Sequence, residues 1–169
     1  DHYGTGAARM AEGGLDGIEL VSSMGYLISQ FLNPRLNKRT DEFGGSVENR
    51  LRFLREIINA CRECAGDDIT LGIRISSDEM DGEGMSPGET MEALKAVETD
   101  GQIDFFNIIG GTTASYTGWL DIIPHMVRPS AYLAPLAEEI KAAVLLPVMI
   151  AGRINQPQDA EQIIANGQA

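Results

Sequence analysis

Short apolar segments that alternate with longer amphipathic segments predict an α/β fold built on a parallel sheet. The short segments are rich in Ile, Leu, Val and Phe and do not alternate strictly, which is typical of strands buried on both faces. Because a helical pattern separates each strand from the next, we expect right-handed parallel crossovers between them. The predicted strands are residues 15–21, 69–75, 103–109 and 146–150.

The first two helices are predicted from apolar spacing and from one capping residue. Residues 3–12 form a weak helical pattern that ends at two glycines. Ser46 stands where a side chain would cap the second helix, because serine at this position accepts a hydrogen bond from the first turn. Apolar residues then recur at helical spacing from Val47 to Cys61 and would form the buried side of that helix.

Three further helices are predicted in the second half of the chain. Ser86, Pro87 and Glu89 form a capping box with proline at the first helical position, which is an explicit start signal. Residues 132–144 carry the next helical pattern. A last helix is expected after Asn155 as the capping residue, with proline in its first turn.

The alternation of strands and helices fits both an open doubly wound sheet and a (β/α)8 barrel. A complete barrel needs about 250 residues and eight strands, whereas this chain has 169 residues. In both architectures functional groups lie at the carboxyl ends of the strands. Residues 22–45 and 110–130 follow two of these ends and are long for such loops, which favours a functional role. In the second loop, Tyr116, Trp119 and His125 either line a pocket or pack the loop.

Composition excludes several classes of partner. Lys and Arg total 13 against 25 Asp and Glu, which gives a formal charge of −12. This charge argues against a nucleic-acid surface and against binding to an anionic membrane. The sequence has two cysteines, Cys61 and Cys64, without a second pair, so we expect neither a disulfide scaffold nor a metal site. A cytoplasmic setting is expected.

The segment from Leu15 to Phe53 carries a dense run of motifs. They are Gly25-Tyr26-Leu27, Gln30-Phe31-Leu32-Asn33-Pro34, Asn37-Lys38-Arg39-Thr40-Asp41-Glu42-Phe43-Gly44-Gly45-Ser46 and Glu48-Asn49-Arg50-Leu51-Arg52-Phe53. The run resembles the NADH:flavin oxidoreductase family, also called the old yellow enzyme family. The resemblance continues through LGIRIS, FFNIIGG and PVMIAGR and so covers the whole chain. It is strongest to the branch with trimethylamine dehydrogenase, dienoyl-CoA reductase and N-methyl amine demethylases.

The resemblance implies a fold class that the alternation alone leaves open. The family is an FMN-binding (β/α)8 TIM barrel, and by the resemblance the four strands here are its strands four to seven with their helices. Residues 1–169 are therefore expected to form a single domain, a partial barrel and a central piece of a longer flavoenzyme. The iron–sulfur cluster of large family members would lie downstream of residue 169.

Three residues resemble the flavin-binding positions of the family. Arg74 lies inside an apolar strand, where a lone charge is costly to bury. By the resemblance it lies beside flavin N1 and the C2 carbonyl, and a fixed positive charge there stabilises the reduced flavin. The alternative is a buried ion pair with Glu19 or Asp104. Gly152 and Arg153 match the family's phosphate-binding position, where a glycine permits close approach and a helix begins.

Tyr26 is the candidate catalytic residue. By the resemblance it donates a proton to the substrate carbon that does not receive hydride; the alternative is a tyrosine that packs the barrel rim. The family usually has a hydrogen-bonding pair at the positions of Val21 and Met24. Valine cannot hydrogen-bond and methionine offers only a weak acceptor, which casts doubt on a standard ene-reductase site.

The implied function is that of an FMN-dependent oxidoreductase with hydride transfer through flavin N5. The expected partners are a small-molecule substrate and NAD(P)H or another electron partner, and a homo-oligomer is possible. Oxidative N-demethylation of a methylated amine and enoate reduction both fit the resemblance. The alternative is a catalytically silent partial barrel that does not bind flavin on its own.

Overall fold

A computed structural model describes residues 1–169 and contains one sheet of four strands. Every neighbouring pair is parallel, and the strands follow one another across the sheet in chain order. The elements are α1 (His2–Glu12), β1 (Gly17–Ser22), α2 (Leu27–Leu32), α3 (Val47–Ala65), β2 (Thr70–Asp78), α4 (Pro87–Thr99), β3 (Phe105–Gly110), α5 (Tyr116–Ile122), α6 (Ala134–Lys141), β4 (Val148–Ile150) and α7 (Pro157–Ala165).

All four predicted strands are confirmed, and each begins one or two residues later than the apolar pattern indicated. The reason is that the apolar segments extend past the paired backbone. Ile69 and Ile103 precede β2 and β3, yet both side chains are buried in the core. For β2 and β3 the apolar pattern therefore marks the buried segment, whereas the strand is limited to the residues that pair; Leu15, which precedes β1, is exposed.

The predicted capping residues Ser46 and Ser86 are confirmed, whereas the predicted capping residue Asn155 is wrong. The Ser46 hydroxyl accepts a hydrogen bond from the backbone of α3, and Ser86 forms both halves of the predicted capping box. Asn155 does not cap α7. Gln156 is the capping residue and makes no side-chain hydrogen bond there, because the chain enters the helix one residue later.

The core occupies one side of the sheet. Alternate strand side chains such as Leu20, Ile73 and Ile108 are buried against α3, α4 and α6 in a single cluster. The opposite face carries no helical layer, and Val21 and Met149 on it are 38% and 53% exposed. A doubly wound sheet has helices on both faces, so the one-sided packing is that of a barrel wall. None of the helices has both the length and the apolar surface needed to cross a bilayer.

A buried arginine fixes the long loop between β1 and α3. The Arg50 guanidinium donates to the carbonyl oxygens of Leu32 at 2.7 Å and Gly45 at 2.6 Å. It also forms an ion pair with Glu89 at 2.6 Å, in the first turn of α4. Because one side chain joins both halves of the loop to the next helix, the loop is held against the carboxyl ends of β1 and β2.

Candidate functional site

A cleft of about 340 Å³ opens at the carboxyl ends of the strands. It is formed by residues of β2 and β3 and by residues of the segments that follow β1, β3 and β4. Twelve residues line it: Met24, Arg74, Ile109, Gly110, Asp121, Ile122, Ile123, Pro124, Ala151, Gly152, Arg153 and Asn155. The predicted residues Arg74, Gly152 and Arg153 therefore share one cleft, as the parallel topology requires.

Arg74 projects from β2 onto the open face of the sheet and forms an ion pair there. Its Nε lies 2.8 Å from Oε1 of Glu19, although the N–H is not aligned with that oxygen, so the contact is electrostatic. The sequence left Glu19 and Asp104 as alternative partners. Asp104 instead pairs with Arg62 at 2.7 Å, near the amino ends of the strands. Arg74 remains 32% exposed and lines the cleft, so the ion pair leaves it accessible to a ligand.

Gly152 and Arg153 form the wall of the cleft beyond β4. A Cβ on Gly152 would lie 2.7 Å from the Leu133 side chain, so packing already favours a glycine here. Arg153 has a φ of 52°, and its carbonyl accepts hydrogen bonds from the Ala131 amide and the Ser130 hydroxyl, both at 3.0 Å. Its side-chain Nε is buried without a hydrogen-bond partner. This orphaned donor lies at the predicted phosphate position.

The chain turns sharply between β1 and Tyr26. Met24 and Gly25 have φ values of 61° and 79°, and the Met24 carbonyl accepts hydrogen bonds from the amide and hydroxyl of Thr113. A Cβ on Gly25 would lie 2.5 Å from the same hydroxyl. The turn is therefore tied to the loop after β3. Tyr26, the residue that precedes α2, lies at the same rim as Met24, is 55% exposed and does not line the cleft.

The loop after β3 is organised by a buried carboxylate. Asp121 accepts two hydrogen bonds from the Arg128 guanidinium, at 2.6 Å and 2.7 Å. The Tyr132 hydroxyl donates to the Asp121 carbonyl at 2.7 Å, and burial together with Asp121 raises the pKa of Tyr132 to about 12. Of the three aromatic or imidazole residues noted in the sequence, His125 lines a second cleft, whereas Tyr116 and Trp119 are exposed.

The charges of the cleft favour an anionic ligand. Arg74 and Arg153 are both present, and the single carboxylate in the lining, Asp121, is already paired with Arg128. The Nε of Arg153 has no partner within the protein, and an unpaired buried donor is costly. A phosphate would satisfy it. The residues present therefore fit a phosphorylated, anionic cofactor.

A comparison with known protein families identifies the family to which the chain belongs. The profile of the NADH:flavin oxidoreductase / NADH oxidase family matches residues 1–169. The chain belongs to this family. The resemblance predicted from the motifs is thus confirmed, and the family's solved members are TIM barrels.

Individual relatives match almost the whole chain. The N,N-dimethylglycine/sarcosine dehydrogenase of Chromohalobacter salexigens is 38% identical over 99% of the chain, and a probable N-methylproline demethylase of Rhizobium meliloti is 36% identical over 98%. The structure of a 2-naphthoyl-CoA reductase complex superimposes with a TM-score of 0.90 at 35% identity, covering 98% of this chain and 25% of that one. The chain spans 24% of the length of each of the two curated relatives.

Two residues beside the cleft were not identified as functional candidates from the sequence. Glu19 appeared there only as an alternative ion-pair partner, and Asn107 did not appear. The Asn107 amide donates to Oε2 of Glu19 at 2.6 Å, so both belong to the surroundings of Arg74. The alternation of side chains could have placed each on the open face, but their contact depends on strand register, which no local pattern specifies.

A second buried carboxylate lies outside the cleft, in the loop after β2. Glu79 is 4% exposed and accepts a hydrogen bond from the buried Asn33 amide. Burial, reinforced by the neighbouring carboxylates Asp81 and Asp78, raises the pKa of Glu79 to about 7, although Arg35 acts in the opposite direction. The folded protein therefore retains a proton on Glu79 that the unfolded chain releases near pH 4.5.

Replacement of Glu79 by glutamine is expected to flatten the pH dependence of stability. Between pH 4.5 and 7 the folded state of the wild type holds more protons than the unfolded state, so its free energy of unfolding falls as pH rises. The loss amounts to about 3 kcal/mol and is complete above pH 7. Urea unfolding at pH 4 to 8 measures it.

The control for this prediction is Glu83→Gln, in the same loop, whose carboxylate is exposed. That variant is expected to follow the wild type across the pH range. Parallel pH profiles for Glu79→Gln and the wild type would contradict the assignment of the proton to Glu79.

Proposed function

We propose that this chain forms the central part of an FMN-dependent oxidoreductase that acts on a small organic molecule. The observation that carries the proposal is the cleft in which Arg74 from β2 meets Gly152 and Arg153 after β4. In this proposal residues 1–169 are a segment of a complete eight-stranded barrel. NAD(P)H or another electron partner exchanges reducing equivalents with the same site.

The cleft residues would hold the two ends of FMN. Arg153 would turn its guanidinium, whose Nε is buried without a partner here, toward the phosphate, and the amino end of α7 follows soon after it in the chain. Arg74 would face the flavin ring, where its positive charge favours the reduced state. When bound, FMN supplies a hydride acceptor and donor at its N5 atom.

The substrate side of the site favours an amine over an activated alkene. Val21 and Met24 offer no strong hydrogen bond to a carbonyl or nitro oxygen, which alkene reduction uses for activation. Met24 and Ile109 in the lining, and Val21 beside Arg74 on the open face, are apolar and disfavour a charged ammonium ion. They therefore favour the neutral amine, whose C–H bond can be oxidised. The names of the two curated relatives, which act on N-methylated amino acids, support this substrate class.

Alkene reduction is the second candidate, and Tyr26 is the residue that favours it. Its phenol is exposed at the rim of the barrel wall, two residues from Met24. A phenol hydroxyl can donate a proton to the substrate carbon that does not receive hydride. This role needs a substrate that is oriented without help from Val21 and Met24.

An anaerobic experiment on the complete polypeptide that carries this segment distinguishes the two candidate reactions. The protein is mixed with either an amine or an enoate, and its flavin absorbance is followed. N-methylated amino acids such as sarcosine are expected to bleach the flavin absorbance of the oxidised protein. Enoates are expected to reoxidise the NAD(P)H-reduced protein slowly, and Tyr26→Phe to slow only that second reaction. Fast reoxidation by enoates without bleaching by amines would overturn the preference for an amine. A complete protein that takes up no FMN would overturn the proposal itself.

A further inference from the structure

Three polar side chains form a continuous contact across the open face of the sheet. Oε1 of Glu19 lies 2.8 Å from Nε of Arg74, and Oε2 of Glu19 accepts a hydrogen bond of 2.6 Å from the Asn107 amide. The three residues come from β1, β2 and β3 in turn. We call this contact the Glu19 triad.

The strand register explains why these residues meet. Arg74 is paired with Val21 on one side and with Asn107 on the other. Glu19 lies two residues before Val21 and therefore projects to the same face. Gly72, the register partner of Glu19, has no side chain, and the ring of Phe105 fills that space. The carboxylate of Glu19 consequently has one cationic neighbour on the face, which is Arg74.

The triad differs from the other ion pairs at the sheet. Arg62 and Asp104 pair near the amino ends of the strands, where Asp104 also accepts a hydrogen bond from the Leu71 backbone at 2.7 Å. That pair ties a helix to the sheet. The Glu19 triad is not needed to hold β1, β2 and β3 together, because the backbone ladders already connect these strands. Its location beside the cleft therefore needs a different explanation.

We infer that Glu19 is a positioning residue that holds the Arg74 guanidinium toward the cleft and offsets part of its charge. This inference rests on the proposed function, because the ligand that senses Arg74 is FMN. A carboxylate within 3 Å of a guanidinium weakens the positive potential beyond it. Glu19 thereby limits how strongly Arg74 favours the reduced flavin, while Asn107 fixes the carboxylate.

The test is Glu19→Gln in the complete holoenzyme, with the flavin reduction potential as the readout. Glutamine keeps the length of the side chain and removes its charge. Asn107 Oδ1, which is buried without a partner, can accept from the new amide if the Asn107 amide rotates. The ratio of the affinities for reduced and oxidised FMN is expected to rise about tenfold, which corresponds to a potential about 30 mV higher.

Asp104→Asn is the matched control. It removes a carboxylate from an Arg–Asp pair of the same sheet, away from the cleft. It is expected to lower stability without moving the potential. A shift of equal size in both variants would show a nonspecific charge effect and overturn the inference, as would an unchanged potential in Glu19→Gln.

Asn107→Ala supplies a second measurement if Glu19→Gln does not fold. It leaves both charges in place and removes the hydrogen bond that fixes Glu19, so FMN is expected to bind about threefold more weakly. Unchanged FMN affinity in Asn107→Ala would overturn the positioning role. FMN uptake by the wild type and by Asp104→Asn tests the proposed function separately, and its absence in both would overturn that function and this inference together.

Discussion

FMN titrated into the 169-residue chain by itself is expected to bind at least about a hundredfold more weakly than to the complete barrel protein. The chain contributes four strands, whereas a closed barrel has eight. The phosphate would keep Arg153 and the ring would keep Arg74, but each would lose contacts from the other half of the barrel. Two charge-assisted hydrogen bonds at about 1.5–3 kcal/mol each account for a loss of this size. Quenching of flavin fluorescence measures the affinity.

The same titration shows whether the isolated chain fails to bind flavin, as the catalytically silent alternative holds, or forms a complete flavin site by itself. Light scattering should accompany it, because β1 and β4 each present an unpaired strand edge, and such edges favour association. The Arg74→Ala form of the chain is the control and is expected to lose the weak binding that remains. Stoichiometric binding at low micromolar concentration would contradict the expectation and mean that the partial barrel is complete as a flavin site.

Arg74→Ala in the complete protein is expected to weaken FMN binding by about ten- to a hundredfold. Arg74 is the charged cleft residue that lies on a strand, and in the proposed site its loss would remove one charge-assisted hydrogen bond to the flavin. It also leaves the Glu19 carboxylate without its ion-pair partner beside the ligand. Arg74→Lys keeps the charge but not the planar fork, so a smaller loss is expected. Equilibrium dialysis measures both.

Arg62→Ala is the matched control for this prediction. Arg62 pairs with Asp104 and donates to the carbonyl of Gln102 at 2.7 Å, remote from the cleft lining. Its loss is expected to lower the melting temperature and to leave the FMN affinity of the folded protein unchanged. If Arg74→Ala and Arg62→Ala bind FMN equally well, Arg74 is a structural ion-pair residue and the flavin assignment is wrong.

The sequence predicted the regular elements where local signals are strong. Strands with dense Ile, Leu and Val, and helices that begin at Ser46 and Ser86, were found where expected. The short helices α2 and α5 were not predicted. Six or seven residues carry too little periodicity to distinguish a helix from a loop, and Tyr26 at the N-cap of α2 makes no capping hydrogen bond with its side chain.

The sequence indicated three residues that line the cleft, Arg74, Gly152 and Arg153, but not the contacts around them. Arg74 was singled out because a lone arginine in an apolar strand is costly to bury. Gly152 and Arg153 were identified through the resemblance to the flavin family. The Glu19–Asn107 contact joins residues 88 positions apart, and it follows from the register of three strands. Register arises from the packing of the whole sheet, so no local pattern contains it.

The most direct test of the central claim is a crystal structure of the complete polypeptide grown with FMN. We expect the Arg74 guanidinium to contact the pyrimidine edge of the flavin and Arg153 to contact the phosphate, with Tyr26 at the open side of the ring. A flavin bound elsewhere, or bound in the barrel with Arg74 turned away and paired to Glu19 alone, would contradict the account.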